Sequence, residues 1–235
     1  MKFEHKLIRG RLIKRYKRFL ADILLDDGKT VTAHCANPGS MMGLKEAGNI
    51  VWLSPQTNPK TKLDYKWELV DVNDCLVGIN TSHPNRLVQD AITDGTITEL
   101  DGYHALRREM KYGHNSRIDI FLSGSSQGDA DCYVEVKSVT LSRKKSMAEF
   151  PDSVTARGTK HLKELSQMVA DGHRAMMVYL IQRNDCTEFS IAADIDPIYA
   201  AALDAALYDG VEAVCYGCNL THKEIIVRQR IPIRL

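Results

Sequence analysis

Ser116-Arg117-Ile118-Asp119 and, after a connection holding Gly124, Ser125, Ser126 and Gly128, Cys132-Tyr133-Val134-Glu135-Val136-Lys137 form the stretch on which the fold turns. Residues 117–122 and 132–139 both read as strands, and the short connection lays them side by side. Strand alternation puts Glu135 and Lys137 on one face and Val134 and Val136 on the other. An exposed sheet face would accommodate that acid and base as a solvated pair of little energetic consequence. A strand inside a helix-flanked sheet is covered on both sides, however, and an ionisable pair there calls for a chemical role.

The surrounding pattern supports such a sheet. Residues 84–94 form a helix with Pro84 in its first turn, Leu87, Val88, Ala91 and Ile92 as its apolar stripe and Gly95 as its stop. A strand at 106–112 precedes the two already named, and a helix at 153–170 follows them, striped by Leu162, Leu165 and Val169 and ended by Gly172. The continuous apolar run 175–181 reads as a doubly covered strand, Asp196-Pro197 opens an Ala-rich helix that ends at Gly210, and 211–216 is a further strand. The order α-β-β-β-α-β-α-β implies a mixed sheet flanked by helices.

Upstream of Thr81 the signals differ. Segments 7–13, 16–25, 29–35, 49–53, 65–72 and 75–79 read as short strands, with Asp26-Asp27-Gly28 as a hairpin turn. Six short strands suggest a small barrel, so the chain divides into domains at 1–80 and 81–235.

The chain has 235 residues and 44% hydrophobic content, enough to bury a sizeable core, and its formal charge of +1 argues neither for nor against a nucleic-acid partner. The distribution is more informative: residues 1–18 hold eight basic side chains against Glu4 alone. That stretch lacks the apolar segment of a secretory signal, and no later run has the length of a membrane span, which points to a cytoplasmic protein with no membrane partner. The six cysteines are scattered through apolar stretches and read as reduced; Cys215-x-x-Cys218 lacks the second ligand pair that zinc requires.

Phosphodiester hydrolysis is the chemistry that uses Asp119, Glu135 and Lys137 together. Two carboxylates from neighbouring strands would hold Mg²⁺ or Mn²⁺ and leave positions open for water and phosphate. The metal would lower the pKa of its bound water and offset charge on the phosphate, while Lys137 would orient or deprotonate the attacking water. This spacing resembles the PD-(D/E)XK nuclease superfamily, whose core has the same α-β-β-β-α-β order. Ile118 stands where the superfamily's nominal proline would be; it preserves the strand, and neither residue contributes a ligand.

Across the whole chain the sequence resembles the sugar fermentation stimulation protein A family. The matching segments are Arg15-Tyr16-Lys17-Arg18-Phe19-Leu20-Ala21-Asp22, His34-Cys35-Ala36-Asn37-Pro38-Gly39-Ser40-Met41, Ser116 to Asp119, Cys132 to Leu141, and Phe150-Pro151-Asp152 through Arg157-Gly158 to Lys160-His161-Leu162. The resemblance implies an α/β chain, α+β overall, with an N-terminal OB-like β-barrel followed by a PD-(D/E)XK nuclease-like mixed sheet flanked by helices. It also implies non-specific DNA binding and a regulatory part in sugar, particularly maltose, metabolism.

Glu109 on the preceding strand is a candidate third metal ligand, with a surface ion pair as the alternative. Arg157, His161 and Glu164 share a helix face, with Lys160 beside it; they would meet phosphate or line a solvated face. Arg143, Lys144 and Lys145 read as a cationic loop, either near the scissile phosphate or merely solvated. Lys14, Arg15, Lys17 and Arg18 surround Tyr16, joining cations for the backbone to an aromatic for stacking, while Phe19, Ala21, Ile23 and Leu25 face the barrel interior. Asn37-Pro38-Gly39-Ser40 reads as a turn without chemistry. Three functions remain open at this level: a DNA binder that uses its nuclease-like domain without turnover, an active metal-dependent nuclease, and, more distantly, an RNA-binding protein.

Overall fold

The computed structural model describes residues 1–58, 60–113, 116–128 and 130–234. Strands β1 (Ile8–Tyr16), β2 (Leu20–Leu25), β3 (Thr30–His34), β4 (Ile50–Pro55), β5 (Tyr65–Val72) and β6 (Cys75–Gly78) form a six-stranded sheet in the order β3-β2-β1-β4-β5-β6. A further β3–β5 pairing, through Ala33↔Tyr65 and His34↔Lys66, rolls this sheet into the OB barrel. Leu12, Ile23, Val51, Leu53, Trp67, Val70 and Val77 fill it. Gly28 turns the β2–β3 hairpin at φ +86°, with the Lys29 N–H bonded to Asp27.

The first hairpin differs from its sequence expectation. β1 runs unbroken to Tyr16, taking up a register shift between Leu12 and Lys14, and the reversal falls at Lys17 and Arg18, both with positive φ. Phe19 therefore belongs to the turn and is 43% exposed, whereas Ala21, Ile23 and Leu25 are buried as expected. Alternation counted backward from Leu25 holds only as far as the strand does.

Beyond the barrel come α1 (Pro84–Thr93), β7 (Tyr103–Tyr112), β8 (Ser116–Ser125), β9 (Cys132–Val139), β10 (Leu141–Lys144), β11 (Met147–Phe150), α2 (Ala156–Ala170), β12 (Arg174–Ile181), β13 (Glu188–Ile191), α3 (Pro197–Tyr208), β14 (Glu212–Leu220), β15 (Ile225–Arg230) and β16 (Ile233–Arg234). The main sheet has the order β15-β14-β12-β9-β8-β7, with β9, β12 and β14 parallel and the remainder antiparallel. Leu87, Val88 and Ala91 of α1 pack on one face against Val134, Val136, Met176 and Val178. Leu162 and Leu165 of α2 and Tyr199 and Leu203 of α3 pack on the other against Met177, Tyr179 and Ile181. Thr155 caps α2 through the Gly158 N–H, and Asp196 caps α3 through the Tyr199 N–H.

A second sheet, β10-β11-β13-β16, was not expected from the sequence. It converts the anticipated loop at Arg143 and Lys144 into a strand. Among the described residues, no helix is long and apolar enough to cross a membrane.

Candidate metal-assisted phosphodiester site

The site forms where the main sheet splays. β8 and β9 pair at Leu122↔Cys132, Phe121↔Tyr133 and Ile120↔Val134. At the next step the Asp119 carboxylate replaces the ladder: its Oδ2 accepts the Val136 N–H at 2.8 Å, while Oδ1 accepts from Asn85 Nδ2 at 2.7 Å. On its other side the β7–β8 ladder skips from Arg108↔Ile120 to Met110↔Ile118, and Glu109, opposite Asp119, has φ +55°. Asn85 lies between the two acids and reaches Glu109 Oε1 at 3.4 Å.

Glu135 is only 2% exposed, on the face of β9 opposite Val134 and Val136. Its Oε1 receives two donors, Lys137 Nζ at 2.7 Å and His161 Nδ1. Its Oε2 is buried and has no hydrogen-bond partner among the described residues. Burial alone would raise the pKa of Glu135, but Lys137 and His161 outweigh it and hold the carboxyl below its ordinary range. Asp119 moves the other way: burial and the Glu135 charge push it up to about 6, against the bonds from Val136 and Asn85. Two neighbouring acids, Glu135 buried with an oxygen unsatisfied among the described residues and held below its ordinary range, and Asp119 half-buried and reluctant to ionise, form a donor set that suits a hard divalent cation. Among the described residues, no three His, Cys, Asp or Glu side chains gather into a complete metal cage, and Glu109 is exposed.

Tyr112 borders this centre. Its hydroxyl is buried without a partner among the described residues, and burial with the Glu135 charge raises its pKa far above that of an ordinary phenol. A groove of about 310 Å³ beside the acids is lined by Glu109, Ser116, Arg117, Arg157, Lys160 and His161. Arg157 and Lys160 stand exposed on α2, Lys160 within 3.5 Å of Glu164. His161 does not join them on a solvated face: it is 4% exposed and turned inward to Glu135.

Other expected contact residues have structural partners. Arg143 is held by Glu149 and Asp194, with four guanidinium contacts of 2.6–3.0 Å, so its charge is already neutralised; Lys144 is exposed. Arg15 donates to the Asn37 and Gly39 carbonyls and thereby pins the Asn37-Pro38-Gly39 turn. The Tyr16 hydroxyl donates to Asp22, and Lys14 lies 5.2 Å from the Tyr16 ring centroid. Lys14, Lys17, Arg18 and Phe19 are all exposed on this hairpin. Asn85 and Tyr112 went unremarked in the sequence because each enters from another element; Pro84 at the start of α1 signals a helix, not a polar side chain beside Asp119.

Comparison with known proteins adds to this geometry. Residues 13–79 match the SfsA N-terminal OB domain, and residues 82–224 match the sugar fermentation stimulation protein RE domain. A sugar fermentation stimulation protein homolog of Roseobacter denitrificans is 56% identical over 100% of both chains. One of Rhodospirillum centenum is 58% identical over 94% of each. Pyrococcus furiosus SfsA, whose structure was solved in complex with Ca²⁺, superposes with a TM-score of 0.89 at 26% identity over 100% of this chain and 98% of that one. With both domains matched and end-to-end relatives above half identity, this chain belongs to the sugar fermentation stimulation protein family.

Proposed function

We propose that this chain is a non-specific DNA-binding protein whose Asp119–Glu135–Lys137 site holds Mg²⁺ or Mn²⁺ and hydrolyses phosphodiester bonds. The observation that carries the reading is the buried Glu135 beside Asp119, held below its ordinary carboxyl range, with Oε1 saturated and Oε2 unpartnered among the described residues. Asp119 and Glu135 would hold the metal, and Glu109, opposite Asp119 across the interrupted ladder, is placed to complete the set when it turns inward. Bound there, a divalent ion supplies an activated water and a counter-charge for the phosphate. Lys137 keeps Glu135 ionised and presents an ammonium to the charge that develops on phosphate. The groove edged by Arg117, Arg157 and Lys160 receives the backbone, as do Lys17 and Arg18 on the barrel. The Ca²⁺ complex of the Pyrococcus furiosus relative supports a divalent site in this fold.

The proposed setting is the cytoplasm, and any part in sugar metabolism follows from DNA binding. Purified protein incubated with single- and double-stranded DNA and with RNA, in Mg²⁺, Mn²⁺ or chelator, tests the reading. Metal-dependent cleavage of DNA is expected from the wild type and not from Glu135→Ala or Lys137→Ala. The exposure of Glu109 favours a second reading, binding without turnover: wild type then shifts DNA but cuts none under any condition.

A further inference from the structure

We propose that His161 is a positioning residue that fixes which oxygen of Glu135 faces the metal, and that Arg157 links this position to a phosphate in the adjacent groove. The proposal rests on the reading of Asp119 and Glu135 as metal ligands and assigns His161 a role distinct from contact with nucleic acid.

The direction of the hydrogen bonds follows from donor chemistry. Arg157 Nε lies 3.3 Å from His161 Nε2, and a guanidinium can only donate, so Nε2 is the acceptor. The ring proton then resides on Nδ1 and is donated to Glu135 Oε1. Lys137 occupies the same oxygen at 2.7 Å. The carboxylate cannot rotate without breaking both bonds, and the orientation they enforce leaves Oε2 as the buried oxygen that has no partner among the described residues. A donor that orients a ligating carboxylate from behind is the usual second layer of a metal site, and its loss typically costs about 10- to 100-fold in metal affinity.

The outer end of the chain is open. Arg157 is exposed and lines the groove with Arg117 and Lys160, while His161 forms part of the groove's inner wall. An exposed Arg157 is free to swing away from His161. A phosphate bound across its terminal nitrogens holds it over the ring, and so fixes the tautomer that Glu135 requires. Nucleic acid and metal therefore tighten one another, and linkage makes the effect reciprocal.

Calorimetric Ca²⁺ titration, alone and with a short single-stranded DNA, tests both halves without depending on turnover. His161→Ala is expected to weaken Ca²⁺ about tenfold in the absence of DNA. His161→Asn, whose amide can donate from near the Nδ1 position but offers Arg157 no ring nitrogen, is expected to recover most of that loss yet show no DNA-induced tightening. Arg157→Met is expected to abolish the tightening as well. Thermal melting checks that each variant is folded; should His161→Ala not fold, His161→Asn and Arg157→Met decide. Ca²⁺ affinity in folded His161→Ala equal to wild type overturns the positioning role, and undiminished DNA-induced tightening in Arg157→Met overturns the link. Glu135→Ala is the control for the underlying reading: if it too binds Ca²⁺ like wild type, the metal site itself is misplaced.

Discussion

At the buried Glu135 and the half-buried Asp119, two carboxyls with different partners acquire opposite shifts. Glu135 meets a cation and a histidine N–H at one oxygen, whereas the hydrogen bonds to Asp119 come from the neutral Val136 and Asn85 donors, and burial with the Glu135 charge outweighs them and the Lys137 charge. A group whose folded pKa is raised contributes stability below its unfolded pKa and loses it as pH rises through the folded value. For Asp119, the metal-free protein should lose stability between about pH 4, where the ordinary aspartate titrates, and the raised value of about 6. Urea melts should show that decline, and Asp119→Asn should remove it. Mn²⁺ at the proposed site would displace the same proton, so its affinity should climb up to about pH 6 and then level off, with calorimetric proton release at pH 5 that vanishes by pH 8. Lys137→Met leaves Glu135 buried without its cation and should cost about 3 kcal/mol at pH 8 in urea unfolding, part of which Glu135→Gln in the same chain restores. Asp119, Glu135 and Lys137 were legible because alternation along one strand and one short connection fixes them. Asn85 was not, since it reaches Asp119 from 34 residues away.

Elements were legible where periodicity ran unbroken and obscure where a single residue interrupted it. The alternating β3, the apolar β12 and the Asp196-Pro197 start of α3 correspond closely to their sequence signals. The end of β1 did not, because a register shift near Lys14 lets the strand continue past the point where its apolar pattern lapses. The β10-β11-β13-β16 sheet escaped notice for a different reason: its strands have two to four residues and come from distant parts of the chain, below the length at which alternation can be read. Gly10 shows how closely β1 and β2 approach. A Cβ there would lie 2.6 Å from the Ile23 side chain and 2.8 Å from the Leu24 carbonyl, and a backbone oxygen in a paired strand cannot withdraw. Gly10→Ala should therefore cost about 1–3 kcal/mol in denaturant unfolding while the proposed metal site, on the other domain, retains its affinity. An unchanged midpoint would show that the barrel yields more readily than this contact allows.

The molecule as a whole joins the barrel to the helix-flanked main sheet. Gly78 N donates to the Gln182 carbonyl at 2.8 Å and Met41 N to Asp152 at 3.0 Å, and Trp52 packs against His222 with ring centroids 3.8 Å apart. These contacts tie barrel to nuclease-like domain at several points, so thermal and urea unfolding should be a single transition when followed by both tryptophan fluorescence and far-ultraviolet circular dichroism; two separated steps would refute that coupling. A net charge of +1 gives no general attraction to DNA, so the proposed binding would depend on local cations such as Lys17, Arg18, Arg117, Arg157 and Lys160. Affinity should accordingly fall steeply with salt and vary little with sequence; a salt-independent interaction would contradict phosphate contact. The most direct test of the account is crystallographic: diffraction from Mn²⁺-soaked crystals, collected at a wavelength where manganese scatters anomalously. With the metal held as proposed, a peak is expected within bonding distance of Asp119 and of Glu135 Oε2, with Oε1 still held by Lys137 and His161. Manganese bound elsewhere, or absent from these two carboxylates at saturating concentration, would contradict it.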